Sequence, residues 1–301
     1  MNKVTLCSRV VKCDIIYAVK RIATLLFLVI LASAVAAEVD LNVSYPAISR
    51  GRTLTVKLIT DEKISEVKGE FLSKPLYLYD VNDGYRAYIP IPLTASPGYY
   101  PLSISYQDAD GNDQEITKQI KIKPGVFRLA SFSVPVTKTK LMKRPKVMDD
   151  WVHIEKVLVK ENPHQLWEGT FIYPLKNYYI TLPFGARETV NGQKRGQHRG
   201  VDFGSELKEK TDIFAVNSGE VVLARWLDVF GGTVVIDHGQ GVHSLYYHLS
   251  KVFVEPEQIV EKGAIIGKMG TTGASNGIHL HLGLSVHNVR VEPLQWLKGQ
   301  I

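Results

Sequence analysis

The 301-residue chain contains nine histidines, and seven of them lie between positions 198 and 287: His198, His238, His243, His248, His279, His281 and His287. Three short patterns in that run set side chains at spacings that can do chemistry. His198-Arg199-Gly200-Val201-Asp202 holds a histidine and an aspartate four apart, where glycine and a β-branched valine argue for a loop running into a strand. His279-Leu280-His281 puts two imidazoles on one face of a strand, while Ile278, Leu280 and Leu282 point to the core. Tyr246-Tyr247-His248 places Tyr246 and His248 on a common face of another strand. A lone His-x-His pair arises by chance on exposed strands, and His-x-x-x-Asp is weaker still. Together, on neighbouring β-segments, the three patterns become specific. Both cysteines, Cys7 and Cys13, are near the N-terminus, so imidazole and carboxylate are the ligands on offer and a metal site is the first chemistry to test.

The remaining histidines carry blander expectations. His238, in Asp237-His238-Gly239-Gln240-Gly241, reads as a structural hydrogen-bonding residue, and His153, His164, His243 and His287 as surface or linker residues. Tyr246 and Tyr247 read as packing, with Tyr246 the one that can line a groove. The glycine-rich turns Gly231-Gly232 and Gly270-Thr271-Thr272-Gly273 lack the lysine, spacing and following helix of a phosphate loop, and are expected to be tight turns that let an extended peptide approach the sheet.

The elements that must position these residues are strands. From residue 171 onward the chain is dense in glycine, valine and isoleucine, with strands expected at 219–224, 233–237, 244–248 and 264–269. An earlier stretch, 38–123, alternates apolar and polar residues, with turn signals at Asn82-Asp83-Gly84, Ser96-Pro97-Gly98 and Asp110-Gly111-Asn112, and contains no histidine. That pattern predicts a small β-sandwich of immunoglobulin-like type, serving as scaffold or spacer. Between them, 124–169 reads as a linker with a short helix over 149–159 and a solvated basic run, Lys138, Lys140, Lys143, Arg144 and Lys146. The fold class is therefore mainly β, divided as 38–123, 124–169 and 170–301.

The first 36 residues read as a signal peptide. Lys3, Arg9, Lys12, Lys20 and Arg21 precede an apolar run at 25–31, which is followed by Ala34-Val35-Ala36, a small-x-small cleavage site. Retention as an anchor is the alternative, but the apolar run is short of the roughly 20 residues a spanning helix needs. Neither cysteine sits directly behind the small-residue site, where a lipid would be attached. Removing the leader lowers the basic count from 36 to 31 and the acidic count from 30 to 29. The basic isoelectric point is thus largely a property of the leader and gives no reason to expect nucleic acid as a partner. Export to the periplasm or envelope, or secretion, is expected, without stable membrane insertion after cleavage; oligomeric state is not readable.

With these residues in place, 171–296 resembles the catalytic domain of the lysostaphin and LytM-type zinc endopeptidases, whose β-fold is the duplicated hybrid motif. The likeness extends to Phe184-Gly185-Ala186-Arg187, Gly200-Val201-Asp202-Phe203, Val235-Ile236-Asp237-His238-Gly239, Lys262-Gly263, Ile266-Gly267, Gly270-Thr271-Thr272-Gly273 and Val291-Glu292-Pro293. One departure is the segment 205–212, longer and more charged than the family's usual turn. The resemblance implies that His198, Asp202 and His281 bind one Zn2+, and that His248 and His279 form a catalytic pair. It assigns His279 as general base, later donating to the leaving amine, and His248 as oxyanion donor or substrate-orienting group, roles that can be exchanged. It further implies a metalloendopeptidase acting on peptidoglycan, at D-Ala to diaminopimelate links or at glycine bridges; the lack of an evident C-terminal wall-binding module favours the thin, directly linked wall. The alternative is a non-catalytic peptidoglycan-binding activator of a separate cell-wall amidase, against which all five positions hold the residues of active members. A further expectation is that the N-terminal sandwich keeps the enzyme latent by covering its groove.

Overall fold

The N-terminal strands form because apolar residues recur at every second position. In Thr53–Ile59, Leu54, Val56 and Leu58 are at most 1% exposed while Lys57 faces water. The computed structural model describes residues 39–160 and 162–301; the expected signal peptide lies outside the described residues. Four antiparallel strands, in spatial order Asp40–Val43, Thr53–Ile59, Gly84–Pro90 and Tyr79–Val81, make one sheet. The other has five, in the order Ala47–Ser49, Asp113–Lys123, Gly98–Gln107, Ser65–Phe71 and Lys74–Pro75, with its first pair parallel. Leu41, Val56 and Ile89 of the first sheet share one core with Phe71, Leu102, Ile104 and Ile120 of the second.

The middle segment is tied down along much of its length. Leu129–Phe132 pairs in parallel with Arg187–Val190. A helix runs over Arg144–Leu158, starting earlier than the sequence suggested because Pro145 sits in its first turn, where the missing N–H costs nothing. Its buried face, Ile154, Val157 and Leu158, packs on Leu227, Val235, Leu245 and Tyr247. The basic run expected to be solvated is anchored at two points: Lys138 Nζ donates to the carbonyls of Thr271 (2.6 Å) and Ser275 (3.2 Å), and Lys146 pairs with Asp228.

The C-terminal sheet has eight strands. Seven follow one another as Tyr178–Leu182, Val201–Ser205, Leu280–Val286, Val242–Leu249, Gly231–Asp237, Gly219–Leu227 and Ile259–Val260, every neighbouring pair antiparallel; Val289–Val291 pairs back on Leu280–Val286. Two registers matter for chemistry: Asp202 lies opposite His281, and His281 opposite Tyr247. The residues flanking them in sequence, Val201, Phe203, Leu280 and Leu282, are wholly buried on the other face. No helix among the described residues is long and apolar enough to cross a membrane.

Residues 39–301 hold together as one compact unit. Tyr88 of the sandwich lies 5.3 Å from Trp296 and 5.8 Å from Trp167, ring to ring. Gln295 spans the junction: its Oε1 accepts from Thr53 N (2.7 Å) and its Nε2 donates to Thr53 O (2.8 Å), while Trp296 Nε1 donates to Thr53 Oγ1 (3.0 Å). Both Gln295 and Thr53 are buried. Gln295→Ala strands a buried N–H and C=O together, so it is expected to cost about 2–4 kcal/mol. Denaturant unfolding checks this; a loss within experimental error of zero would show that the two backbone groups find other partners.

Candidate metal centre

Asp202 is the hub of the site. Its Oδ1 lies 3.0 Å from His198 Nε2 and 2.9 Å from His281 Nδ1, and its Oδ2 lies 3.7 Å from His279 Nε2. One donor atom each from His198, Asp202 and His281 falls within 4.8 Å of the others, which suits a single divalent ion. The fit has an independent sign: His198 Nε2 is buried and makes no hydrogen bond, although a carboxylate oxygen stands 3.0 Å away.

Each of these side chains is held from behind. The backbone of His198 pairs with the Phe184-Gly185-Ala186-Arg187 segment, His198 N donating to Ala186 O and Gly185 N to His198 O, both at 2.8 Å. His198 Nδ1 donates to Glu188 Oε1 at 2.8 Å, which fixes the ring with Nε2 turned toward Asp202. Glu188 sits on the hairpin Arg187–Val190/Gln193–Gln197 that leads into His198. Sequence reading missed it, because a charged residue ten positions upstream of its partner gives no local signal. The His281 ring stacks on Tyr247 (centroids 5.1 Å apart, planes 9° apart). Gly200 is needed for close approach: a Cβ there would stand 2.5 Å from both His281 Nε2 and Leu282 O.

His248 and His279 lie beside this group, their rings 4.9 Å apart. His248 Nδ1 donates to Thr272 O (2.8 Å) and His279 Nδ1 to Gly277 O (2.9 Å), so in each ring Nε2 is the nitrogen left free of a backbone anchor. The turn containing Thr272, expected only to make room for a peptide, therefore also orients a histidine. Tyr246 and His248 do not share a face. Tyr246 is fully buried, its hydroxyl accepting from Val216 N, and Tyr247 faces the site instead. His248 breaks the alternation with φ of 65°, a left-handed residue that turns its ring to the same side as Tyr247 and His281.

The electrostatics follow from burial and proximity. Burial by itself would lower His198, but the Asp202 and Glu188 carboxylates outweigh it and raise it to about 9. Burial pushes the Asp202 carboxyl up, and the rings of His198, His281 and His279 overcome it, holding the carboxyl well below its usual range. His248 is driven far below the usual imidazole range by burial, with His279 and His281 adding to the effect. Burial also lowers His281, against the pull of Asp202.

Two clefts flank the group. One, of about 530 Å³, is walled by Trp151, Arg199, Phe230, Tyr247, His248 and Arg290. The other, of about 520 Å³, reaches Asp202 and His279 and is bordered by Leu129–Phe132. Among the described residues none before Arg128 lines either cleft; the walls come from the C-terminal strands and turns together with the middle segment, whereas the latency expectation has the sandwich cover the groove. His238 is structural, as expected: Nδ1 donates to Ser218 O (2.7 Å) and Nε2 meets Ser244 Oγ (2.8 Å). His153 meets Arg225 (3.1 Å), and His287 stacks on Tyr77 of the sandwich (4.1 Å).

Residues 196–293 match the family model described as Peptidase family M23. Peptidoglycan DD-endopeptidase ShyA of Vibrio cholerae is 32% identical over 164 residues, 54% of this chain and 37% of that protein. DD-carboxypeptidase/endopeptidase Mpg of Neisseria meningitidis is 33% identical over 126 residues, 42% of this chain and 29% of that protein. The chain thus matches 37% of the length of the first relative and 29% of the second. A crystal structure of a putative peptidase M23 from Pseudomonas aeruginosa aligns with 83% of this chain and 94% of its own, at a TM-score of 0.53 and 23% identity, a likeness of fold.

Two outcomes are expected of this geometry. Glu188→Ala frees the His198 ring and should weaken retention of a divalent ion by about 10- to 100-fold, measured by competition with a chelator; unchanged retention would show that Glu188 does not orient the ligand. His238 is lowered to about 4 by burial, below its unfolded value, so its contribution to stability is full above pH 6.5 and is lost as pH falls from there toward 4. Urea unfolding at pH 7 and pH 4 should differ by on the order of 3 kcal/mol more in the wild type than in His238→Gln; identical differences would remove His238 as the titrating group.

Proposed function

Because residues 196–293 are a domain of peptidase family M23, of the LytM type, we propose that the protein is a zinc metalloendopeptidase that hydrolyses peptide cross-links of bacterial peptidoglycan. The observation that carries this reading is the convergence of His198 Nε2, Asp202 Oδ1 and His281 Nδ1, with His279 Nε2 3.7 Å from Asp202 Oδ2 and the His248 ring 4.9 Å from that of His279. Peptidoglycan as substrate is supported by the names of the related enzymes, and an exported or envelope location by that substrate. The N-terminal sandwich is read as an immunoglobulin-like scaffold domain over 38–123, joined through 124–169 to a peptidase domain over 170–301.

His198, Asp202 and His281 would hold the zinc ion, a set of two imidazoles and one carboxylate that leaves a coordination position free. When bound, it supplies a Lewis acid for the scissile carbonyl and makes a water acidic enough to be deprotonated near neutral pH. The chain's own residues do the proton work. His279 Nε2, anchored through Nδ1 to Gly277 O, accepts the water's proton and passes it to the leaving amine. His248, which burial holds far below the usual imidazole range and which is likewise anchored through Nδ1, offers an acceptor at Nε2. It can orient the water or a substrate N–H, and donates to an oxyanion only after gaining a proton. This favours the substrate-orienting role for His248 over the oxyanion donor role.

His281→Ala is expected to abolish both zinc retention and lysis of purified cell walls, while His279→Ala keeps the metal and loses turnover by a factor of about 10² or more. Metal analysis and dye-release assays on the folded variants check this. Wall lysis that persists in His281→Ala would remove the mechanism, and activation of a separate amidase by His279→Ala at the wild-type level would favour the non-catalytic reading.

A further inference from the structure

Arg290 is placed where a guanidinium is hard to justify without a ligand. It belongs to the strand Val289–Val291 and reaches into the cleft beside His281, where its Nη1 is sealed from solvent and has no hydrogen-bond partner. Nη2 stands at the limit of hydrogen bonding, 3.5 Å from the Tyr247 hydroxyl. Arg199, exposed and next in sequence to His198, enters the same cleft. Both guanidiniums lie against one indole, that of Trp151, at 5.2 Å for Arg290 and 5.7 Å for Arg199.

Among the described residues neither arginine has a carboxylate within ion-pair distance. The acids nearby are otherwise engaged or remote. The Asp150 carboxylate accepts the backbone N–H groups of Asp228, Val229 and Phe230, and Glu188 is bound to His198. Glu155, on the same helix as Trp151, is felt by Arg290 only as a distant charge. Burial and the neighbouring Arg199 both act against the Arg290 cation, so two like charges are held together at a cost that an anion would relieve. A carboxylate in this cleft answers the two cations with charge-assisted hydrogen bonding, which a neutral amide cannot reproduce.

The site lies one tyrosine side chain from the candidate metal: Tyr247 stacks on His281 with its ring and meets Arg290 with its hydroxyl. We propose that Arg290 and Arg199, roofed by Trp151, form an anion subsite that takes a free carboxylate of the substrate peptide close to the scissile amide. The proposal rests on the peptidase reading above and sharpens it. A directly linked wall peptide carries a free carboxylate on the residue that donates its side-chain amine to the cross-link, whereas a glycine bridge has none there. The subsite therefore selects directly linked peptides.

The test uses two synthetic dimers in which D-alanine is amide-linked to the side-chain amine of diaminopimelate, one with the neighbouring carboxylate free and one with it as carboxamide. Arg290→Gln should raise KM for the free-carboxylate dimer by about tenfold or more, with kcat little changed, and leave KM for the carboxamide dimer within about twofold. Binding without turnover, read by tryptophan fluorescence in the His279→Ala background, should show the same selective loss. Arg199→Gln alters an exposed residue and carries the same expectation if Arg290→Gln fails to fold. Equal losses on both dimers, or no loss on either, would overturn the subsite. A wild-type protein that prefers the free carboxylate in binding but cuts neither dimer supports the subsite and contradicts the peptidase reading.

Discussion

Everything in the C-terminal half is arranged around one buried carboxylate that three imidazoles approach at once. Asp202 is 8% exposed, and its two oxygens meet His198, His281 and His279. An ionised carboxyl at that depth is expensive unless positive charge or hydrogen bonding answers it. The neighbouring groups answer it unevenly: the Asp202 and Glu188 carboxylates draw His198 upward against burial, while burial presses His281 and His248 down. A divalent ion held by His198, Asp202 and His281 would supply that positive charge directly, with the carboxylate ionised and the two ligating rings neutral.

The rest of the fold reads as the support for that point. Strand register sets Asp202 opposite His281 and His281 opposite Tyr247, so the three share one face of the sheet by pleat alone. Gly200 keeps space for the His281 ring, and a left-handed backbone at His248 brings in a ring that regular alternation would have pointed away. A further ring of acceptors, Glu188, Thr272 O and Gly277 O, then decides which nitrogen of each histidine faces inward. The middle segment closes the walls: Trp151 and Leu129–Phe132 border the two clefts, and Lys138 fastens that segment to the turn that carries Thr272.

Much of this was legible in the sequence where it depended on period. The His-x-His pair fell on one face because strand pleat has period two, and Leu280 and Leu282 are buried for the same reason. The two-sheet N-terminal region followed from alternation and turn residues, and the structural role of His238 from its place in a tight turn. What was not legible depended on exceptions or on distance. Tyr246 was given the site face because nothing in Tyr246-Tyr247-His248 announces a left-handed residue. Glu188, Trp151 and Arg290 reach the site from separate stretches of chain, so no local spacing marks them. The basic run read as solvated because lysine is usually exposed, whereas Lys138 finds two backbone carbonyls on a distant turn.

The most direct test of this account is X-ray absorption at the metal edge on the purified, folded protein. One zinc ion per chain is expected, with two imidazole nitrogens and a carboxylate oxygen at roughly 2.0–2.2 Å and a light solvent atom completing the shell. A protein that is folded yet holds no stoichiometric ion, or an ion whose ligands do not include His198, Asp202 and His281, would contradict it.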